Sequence, residues 1–365
     1  MKTNRILIYF IDCHRYLDYK DSNYNPYRDF ILSLSDRFRI KRYHNYFTQY
    51  CSTYRWLMSF LNNRTNLEQG SYQWMRNPGI ENLAFNNFTL INEAIYKNYK
   101  VRVSEVPNKY AIDYFNTRGP QGMLSRIGKF TSREEMLNSV PDRCLDIWYD
   151  LYFHDEIFHN TKNTRADRDR LLLETFDHCS NYMLNYDSFK NYDTIIFLSD
   201  HGYADYNSDT NYFEHEGYDG LMIGSPYQHA HPILFILEKD GHGIHNEYDL
   251  ISQVDISTYI RSLLREKPIN LYSLGREYLV TFGYYSENKN YPVNHHIVYH
   301  NNTFLSINVN KYYEGEPNDC HIFDLDTNKI LESDHRLTRL EWDILYNESP
   351  FLDKQFHYKE IKCVN

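Results

Sequence analysis

A chain of 365 residues, 42% of them apolar, is long enough for one large α/β domain with a smaller appended unit and a sizeable buried core. Its formal net charge of -10 lacks the basic excess that binding a nucleic-acid backbone requires, which excludes nucleic acid as an expected partner. The six cysteines (Cys13, Cys51, Cys144, Cys179, Cys320 and Cys363) contain no CxxC pair, which argues against a zinc ribbon and against a disulfide framework.

In chain order, the first element is the apolar run Arg5 to Ile11, stopped by Asp12, a buried strand by its length. It is too short for a signal peptide, and no window approaches the roughly 18 apolar residues of a membrane span, so a cytoplasmic protein with reduced thiols is expected. Arg55 to Asn62 has helical periodicity, Cys144 to Phe153 reads as a strand, and Ala166 to Tyr186 as a helix. Thr194 to Leu198 and Pro232 to Leu237 are further strands, and Ser252 to Arg265 a further helix. This alternation predicts an α/β fold with a mostly parallel sheet sandwiched by helices. From about Asn270 the texture changes to short alternating segments, His296 to Tyr299, Thr303 to Asn308 and His321 to Leu325, as in a small antiparallel sheet. A catalytic domain over residues 1-269 and a C-terminal α+β subdomain over 270-365 are therefore expected. The 36 tyrosines fit either a carbohydrate-stacking surface or the codon bias of an AT-rich genome.

Functional side chains collect at the carboxyl ends of strands in open α/β sheets, where the loops converge. Three strands here end in metal-type ligands: the first at Asp12, the second running into His154, Asp155 and His159, and the third at Asp200-His201-Gly202. Asp-His pairs also occur at Asp177-His178, inside a helical pattern, and at Asp334-His335, in a polar turn. Asp200-His201 differs in following a fully apolar strand and preceding a glycine that permits a sharp turn. Asp155 and His159 are four residues apart, so on a helical turn a carboxylate and an imidazole face one side and can grip one cation.

The segment Thr194 to Gly202 resembles the "TIIIFTSDHG" segment of sulfatases and of the phosphoethanolamine and phosphoglycerol transferases, within the alkaline phosphatase superfamily. Other landmarks follow in the family's order: Pro226 to Leu237 resembles the strand near "VPLII", Val254 to Thr258 the "vDIxPT" helix start, and Cys320 to Thr327 the "eLYDLxxDP" element. Residues 65 to 140 match nothing in that pattern. Thr53 to Arg64 is similar to the nucleophile pattern "TxPSxxSLLTGR", which puts Thr53 in the nucleophile position at a helix start. Arg55, Trp56 and Asn62-Asn63 depart from it, and shifted registers nominate Ser52, or Cys51 as in the sulfatase "CxPSR" signature.

The resemblance implies one metal held by Asp12, Thr53, Asp200 and His201, and a second held by Asp155, His159 and a third histidine, as in alkaline phosphatases and nucleotide pyrophosphatase/phosphodiesterases. His215 lies where the phosphoethanolamine transferases carry a zinc histidine, with His229 and His231 as rivals. A histidine-rich mixed donor set suits Zn²⁺ better than Ca²⁺, so two zinc ions are expected, with Ca²⁺, Mg²⁺ or Mn²⁺ as alternatives. The resulting expectation is a phosphotransferase or phosphodiesterase acting through Thr53 on a small-molecule or glycan phosphoester. A sulfatase with one Ca²⁺, or a non-catalytic sulfatase-like binding protein, are the alternatives.

Overall fold

The computed structural model describes residues 4–14, 16, 26–51, 53–63, 89–104, 127–151, 165–202, 230–274, 276–282, 294–301, 303–308, 320–324, 329–332 and 335–348. The main sheet contains β1 (Arg5–Ile11), β2 (Arg39–Tyr43), β3 (Lys100–Val103), β4 (Cys144–Asp150), β5 (Thr194–Ser199), β6 (Leu234–Glu238) and β7 (Ile244–Glu247), in the spatial order β3-β4-β1-β5-β6-β2-β7. Every neighbouring pair is parallel except those of β6, which runs antiparallel to both β5 and β2. The strands at the centre are mostly apolar because both of their faces are covered: β4 and β5 are buried along their whole length, including Asp146 of β4.

Alternate residues of these strands enter two helix layers, as the period of two requires. Ile6, Ile8 and Phe10 share one core with Trp56, Leu57, Phe60 and Leu61 of α2 (Thr53–Asn62), Leu90 and Ile91 of α3 (Leu90–Tyr96), and Ile256, Ile260 and Leu263 of the helix Gln253–Leu264. Leu7, Tyr9 and Ile11 share the other with Phe30, Ile31 and Leu34 of α1 (Pro26–Ser35), Met136 of α4 (Arg133–Asn138), and Phe176 and Cys179 of α5 (Arg165–Asn185). The helix Gln253–Leu264, α6, opens where the sequence places it: the Asp255 carboxylate accepts the Ser252 N–H at 2.8 Å.

A second sheet of five antiparallel strands, in the order β12-β11-β10-β9-β8, comprises β8 (Tyr278–Phe282), β9 (Asn294–Tyr299), β10 (Thr303–Asn308), β11 (Cys320–Asp324) and β12 (Lys329–Glu332). Its Val280, Ile297, Leu305 and Ile307, with Trp342 and Leu345 of α7 (Arg339–Glu348), extend the α2 layer of the core. The mostly parallel sheet between helices and the smaller antiparallel sheet match the sequence-based expectation. Three strands of the main sheet escape that reading: β2, β3 and β7 are short, and Lys, Arg, His, Asn and Glu make up most of their residues, so their apolar signal is weak. Among the described residues no helix is long and apolar enough to cross a membrane.

Candidate active site

The sheet register decides which side chains meet. Ile11, the last residue of β1, stands opposite Asp150 of β4 on one side and Ser199 of β5 on the other. Asp12 and Asp200 therefore leave adjacent strand ends together. Asp12 N–H donates to the Asp150 carbonyl at 3.0 Å, the last rung of that ladder. Asp12, Asp200 and His201 are all buried, with 1%, 0% and 8% of their surface exposed, although each carries ionisable atoms that burial penalises unless they are satisfied.

Thr53, the first residue of α2, completes the group. Its hydroxyl donates toward Asp12 Oδ1 at 3.4 Å and lies 3.4 Å from His201 Nε2. The helix ends at Asn63, which takes the left-handed φ of 56° that glycine adopts freely and asparagine tolerates better than most residues. The glycine position of the "LTGR" pattern is thus held by a residue that takes a glycine conformation. Cys51 packs among Phe47, Ala230, Leu279, Val298 and Phe304, and burial, with the Asp200 charge adding to it, pushes its thiol well above the ordinary range.

Each remaining polar atom has a distinct role. Tyr149 OH donates to Asp12 Oδ2 at 2.6 Å, leaving Oδ1 toward Thr53. Asp200 Oδ1 accepts the Cys13 N–H at 3.1 Å, while the single Ser199 hydroxyl proton is nearer the His201 carbonyl, at 2.9 Å, than Asp200 Oδ1, at 3.3 Å. His201 Nδ1 stands 2.9 Å from the Gly202 carbonyl, which only accepts, so Nδ1 carries the proton and Nε2 presents its lone pair to the site. Asp200 Oδ2 faces that lone pair at 3.2 Å and accepts no well-aligned hydrogen bond among the described residues. Burial raises the Asp200 carboxyl above its ordinary value; the His201 ring opposes this, Asp12 adds to it, and the Thr53 hydroxyl and Cys13 N–H favour the charged form.

A buried carboxylate oxygen with no well-aligned hydrogen bond among the described residues calls for a cation or a proton beside it, and Asp200 Oδ2 is the observation that fits a metal. Three separations are of the size one ion would need: 3.2 Å for Asp200 Oδ2 to His201 Nε2, and 3.4 Å for Thr53 Oγ1 to both Asp12 Oδ1 and His201 Nε2. Donors at roughly 2.0–2.1 Å around one tetrahedral ion are about 3.3–3.4 Å apart. Asp12, Cys13 and His201 also offer ligand atoms within 4.8 Å of one another.

Of the residues nominated from sequence, the structure brings together Asp12, Thr53, Asp200 and His201. Asp155, His159, His215, His229 and Ser52 lie outside the described residues. His231 is described and stands away from the cluster: its ring is stacked between Tyr16 and Phe47, its Nε2 meets the His44 carbonyl at 2.7 Å, and burial lowers its pKa to about 3. The sequence reading missed Tyr149, Ser199 and Cys13. Cys13 directly follows a nominated ligand, a signal that was available; Tyr149 depends on strand register, which is not.

The chain matches no protein-family model and no curated protein sequence. Among solved structures it is similar to the lipoteichoic acid synthase LtaP from Listeria monocytogenes, at 10% identity over 96% of this chain and 90% of that one, with a TM-score of 0.58. A putative sulfatase from Bacteroides thetaiotaomicron gives 12% identity over 95% and 90%, also at 0.58. An alkaline phosphatase superfamily protein from Vibrio parahaemolyticus gives 11% identity over 96% and 86%, at 0.56. The seven-stranded mixed sheet between helix layers, with its smaller antiparallel sheet, is the fold of the alkaline phosphatase superfamily.

Proposed function

We propose that the chain is a metal-dependent phosphotransferase or phosphodiesterase with Thr53 as its nucleophile. One observation carries this reading: a helix-start hydroxyl lies 3.4 Å from both a carboxylate oxygen and an imidazole lone pair, beside a buried carboxylate oxygen with no well-aligned hydrogen bond. Asp12, Thr53, Asp200 and His201 would hold the cation, which when bound supplies Lewis-acid stabilisation and a lowered hydroxyl pKa.

The chain's own groups account for the rest. Thr53 Oγ1 attacks phosphorus, and its proton leaves in the direction of Asp12 Oδ1, toward which the hydroxyl already donates. The bond from phosphorus to the leaving oxygen breaks, and the phosphoryl group stays on Thr53. The N-terminus of α2 favours the negative charge that gathers there. Water, or an acceptor hydroxyl, then takes the group from Thr53, which separates a hydrolase from a transferase. The proposal includes a second cation, which Asp155, His159 and His215 would hold.

The sulfatase among the structural neighbours supports a second reading, hydrolysis of a sulfate ester. In its signature form that reading needs Cys51, whose burial in an apolar cluster favours Thr53 instead. Metal analysis of the purified chain, combined with mass spectrometry after a short incubation with bis-p-nitrophenyl phosphate, tests the two. Bound zinc and a phosphoryl adduct on Thr53 are expected. A formylglycine at residue 51 would move the assignment to sulfate esters, and a metal-free chain without turnover would overturn both.

A further inference from the structure

We infer that Cys13 is a sulfur ligand of the metal held at the Asp12–His201 site, and that it makes this site select a thiophilic cation such as Zn²⁺ over Ca²⁺ or Mg²⁺. The inference rests on the metal reading proposed above and adds a donor to it.

Three observations support it. Cys13 Sγ, one oxygen of Asp12 and one nitrogen of His201 lie within 4.8 Å of one another, with all three residues almost fully buried. The site already holds an electron pair in want of a cation, on Asp200 Oδ2, whose partner oxygen is fixed by the Cys13 N–H. The backbone brings the sulfur there by an unusual route: Cys13 has a φ of 62°, the left-handed region that costs a residue with a Cβ about 1–2 kcal/mol. This conformation both aims the N–H at Asp200 and turns the thiol beside His201, with Sγ 3.7 Å from Nε2 and 3.8 Å from Nδ1.

Those two nearly equal distances set Sγ off the axis of the Nε2 lone pair, so coordination requires a turn about the Cys13 Cα–Cβ bond. On binding, the S–H bond breaks, the sulfur lone pair forms the bond to the cation, and the proton passes to solvent. The chemical consequence is selectivity. Thiolate is a soft donor that Zn²⁺, Co²⁺ and Cd²⁺ accept, whereas Ca²⁺ and Mg²⁺ take oxygen shells.

The test uses the full chain loaded with Co²⁺ alone, followed by absorption spectroscopy. Wild type is expected to show both the visible d–d bands of bound cobalt and a near-ultraviolet thiolate-to-cobalt charge-transfer band. Cys13→Ser should keep the former and lose the latter, with Zn²⁺ affinity falling by at least the roughly 10–100-fold that loss of a mere supporting group costs. Cys13→Asp, which restores a donor in case the serine variant folds poorly, should narrow the preference for Zn²⁺ over Ca²⁺ by a similar factor. Cobalt d–d bands in wild type without a charge-transfer band would overturn the role of Cys13 and leave the metal site standing. A chain that takes up no cobalt would overturn the metal site itself.

Discussion

Tyr149 and Asp12, 137 residues apart in sequence, meet at 2.6 Å inside the sheet, where the tyrosine hydroxyl donates to the carboxylate oxygen that does not face Thr53. This bond holds the Asp12 carboxylate so that one oxygen serves the structure and the other serves the site. Tyr149→Phe leaves Asp12 Oδ2 buried without its donor, at a cost of about 1–3 kcal/mol. A 10–100-fold weaker metal affinity is expected, as for other groups that orient a ligand. Competition titration against a zinc chelator measures it, and unchanged affinity would remove Tyr149 from the site.

Thr53→Ala should reduce turnover of an activated phosphodiester by on the order of 10³-fold or more, because the nucleophile is gone rather than misplaced. Thr53→Ser keeps the hydroxyl at the start of α2 and should retain measurable turnover with a phosphoryl adduct on residue 53. Steady-state kinetics with both variants decide this, and an alanine variant as active as wild type would exclude Thr53.

Asp146 and Arg102 form a buried ion pair, 0% and 2% exposed, with Arg102 Nε 2.9 Å from Asp146 Oδ1 and the Tyr192 hydroxyl also donating to Asp146. The pair ties edge strand β3 to β4. Asp146→Ala strands a buried guanidinium and should cost about 3–5 kcal/mol in denaturant unfolding. The double variant Asp146→Leu with Arg102→Met removes both charges and should be clearly less destabilised than Asp146→Ala. Equal losses for the two would show that packing, not charge, dominates there.

His231, His295 and His296 are buried, and burial lowers the pKa of each to about 3, below the ordinary 6.5. The unfolded chain therefore binds more protons than the folded one between those values. The stability these groups allow is fully present above about pH 6.5 and is lost as pH falls from there toward 3, by at most about 4 kcal/mol per pH unit for the three together. Glu93 and Glu238, held low by their arginine and lysine partners, add to the loss below their ordinary value of 4.5. Urea midpoints recorded between pH 8 and pH 5 should fall steadily below 6.5, and His295→Phe should flatten that fall. A midpoint independent of pH would mean that these imidazoles are protonated in the folded state.

Local physical chemistry, read along the chain, was enough for the fold class and for naming Asp12, Asp200 and His201 as candidates. Apolar runs bounded by turn residues mark β1, β5 and β6, and β4 apart from its paired Asp146, because strands covered on both faces are mostly apolar. A strand-end Asp12 and a strand-end Asp200-His201 before Gly202 are legible because each sits at the end of an element the sequence announces, whereas the helical periodicity begins at Arg55 and only the resemblance to the family's nucleophile pattern names Thr53. What the tertiary structure decided is contact between segments far apart in sequence. The register of β4 against β1 puts the Tyr149 hydroxyl on Asp12, and that of β5 against β1 sets Asp200 beside Cys13. Cys51, offered by a shifted register of the nucleophile pattern, and Thr53 are two residues apart; packing sends one into an apolar cluster and brings the hydroxyl of the other toward Asp12. Periodicity records which face of an element is buried, whereas register and packing partner are set by the whole sheet closing at once, and these choose the residues that share the site.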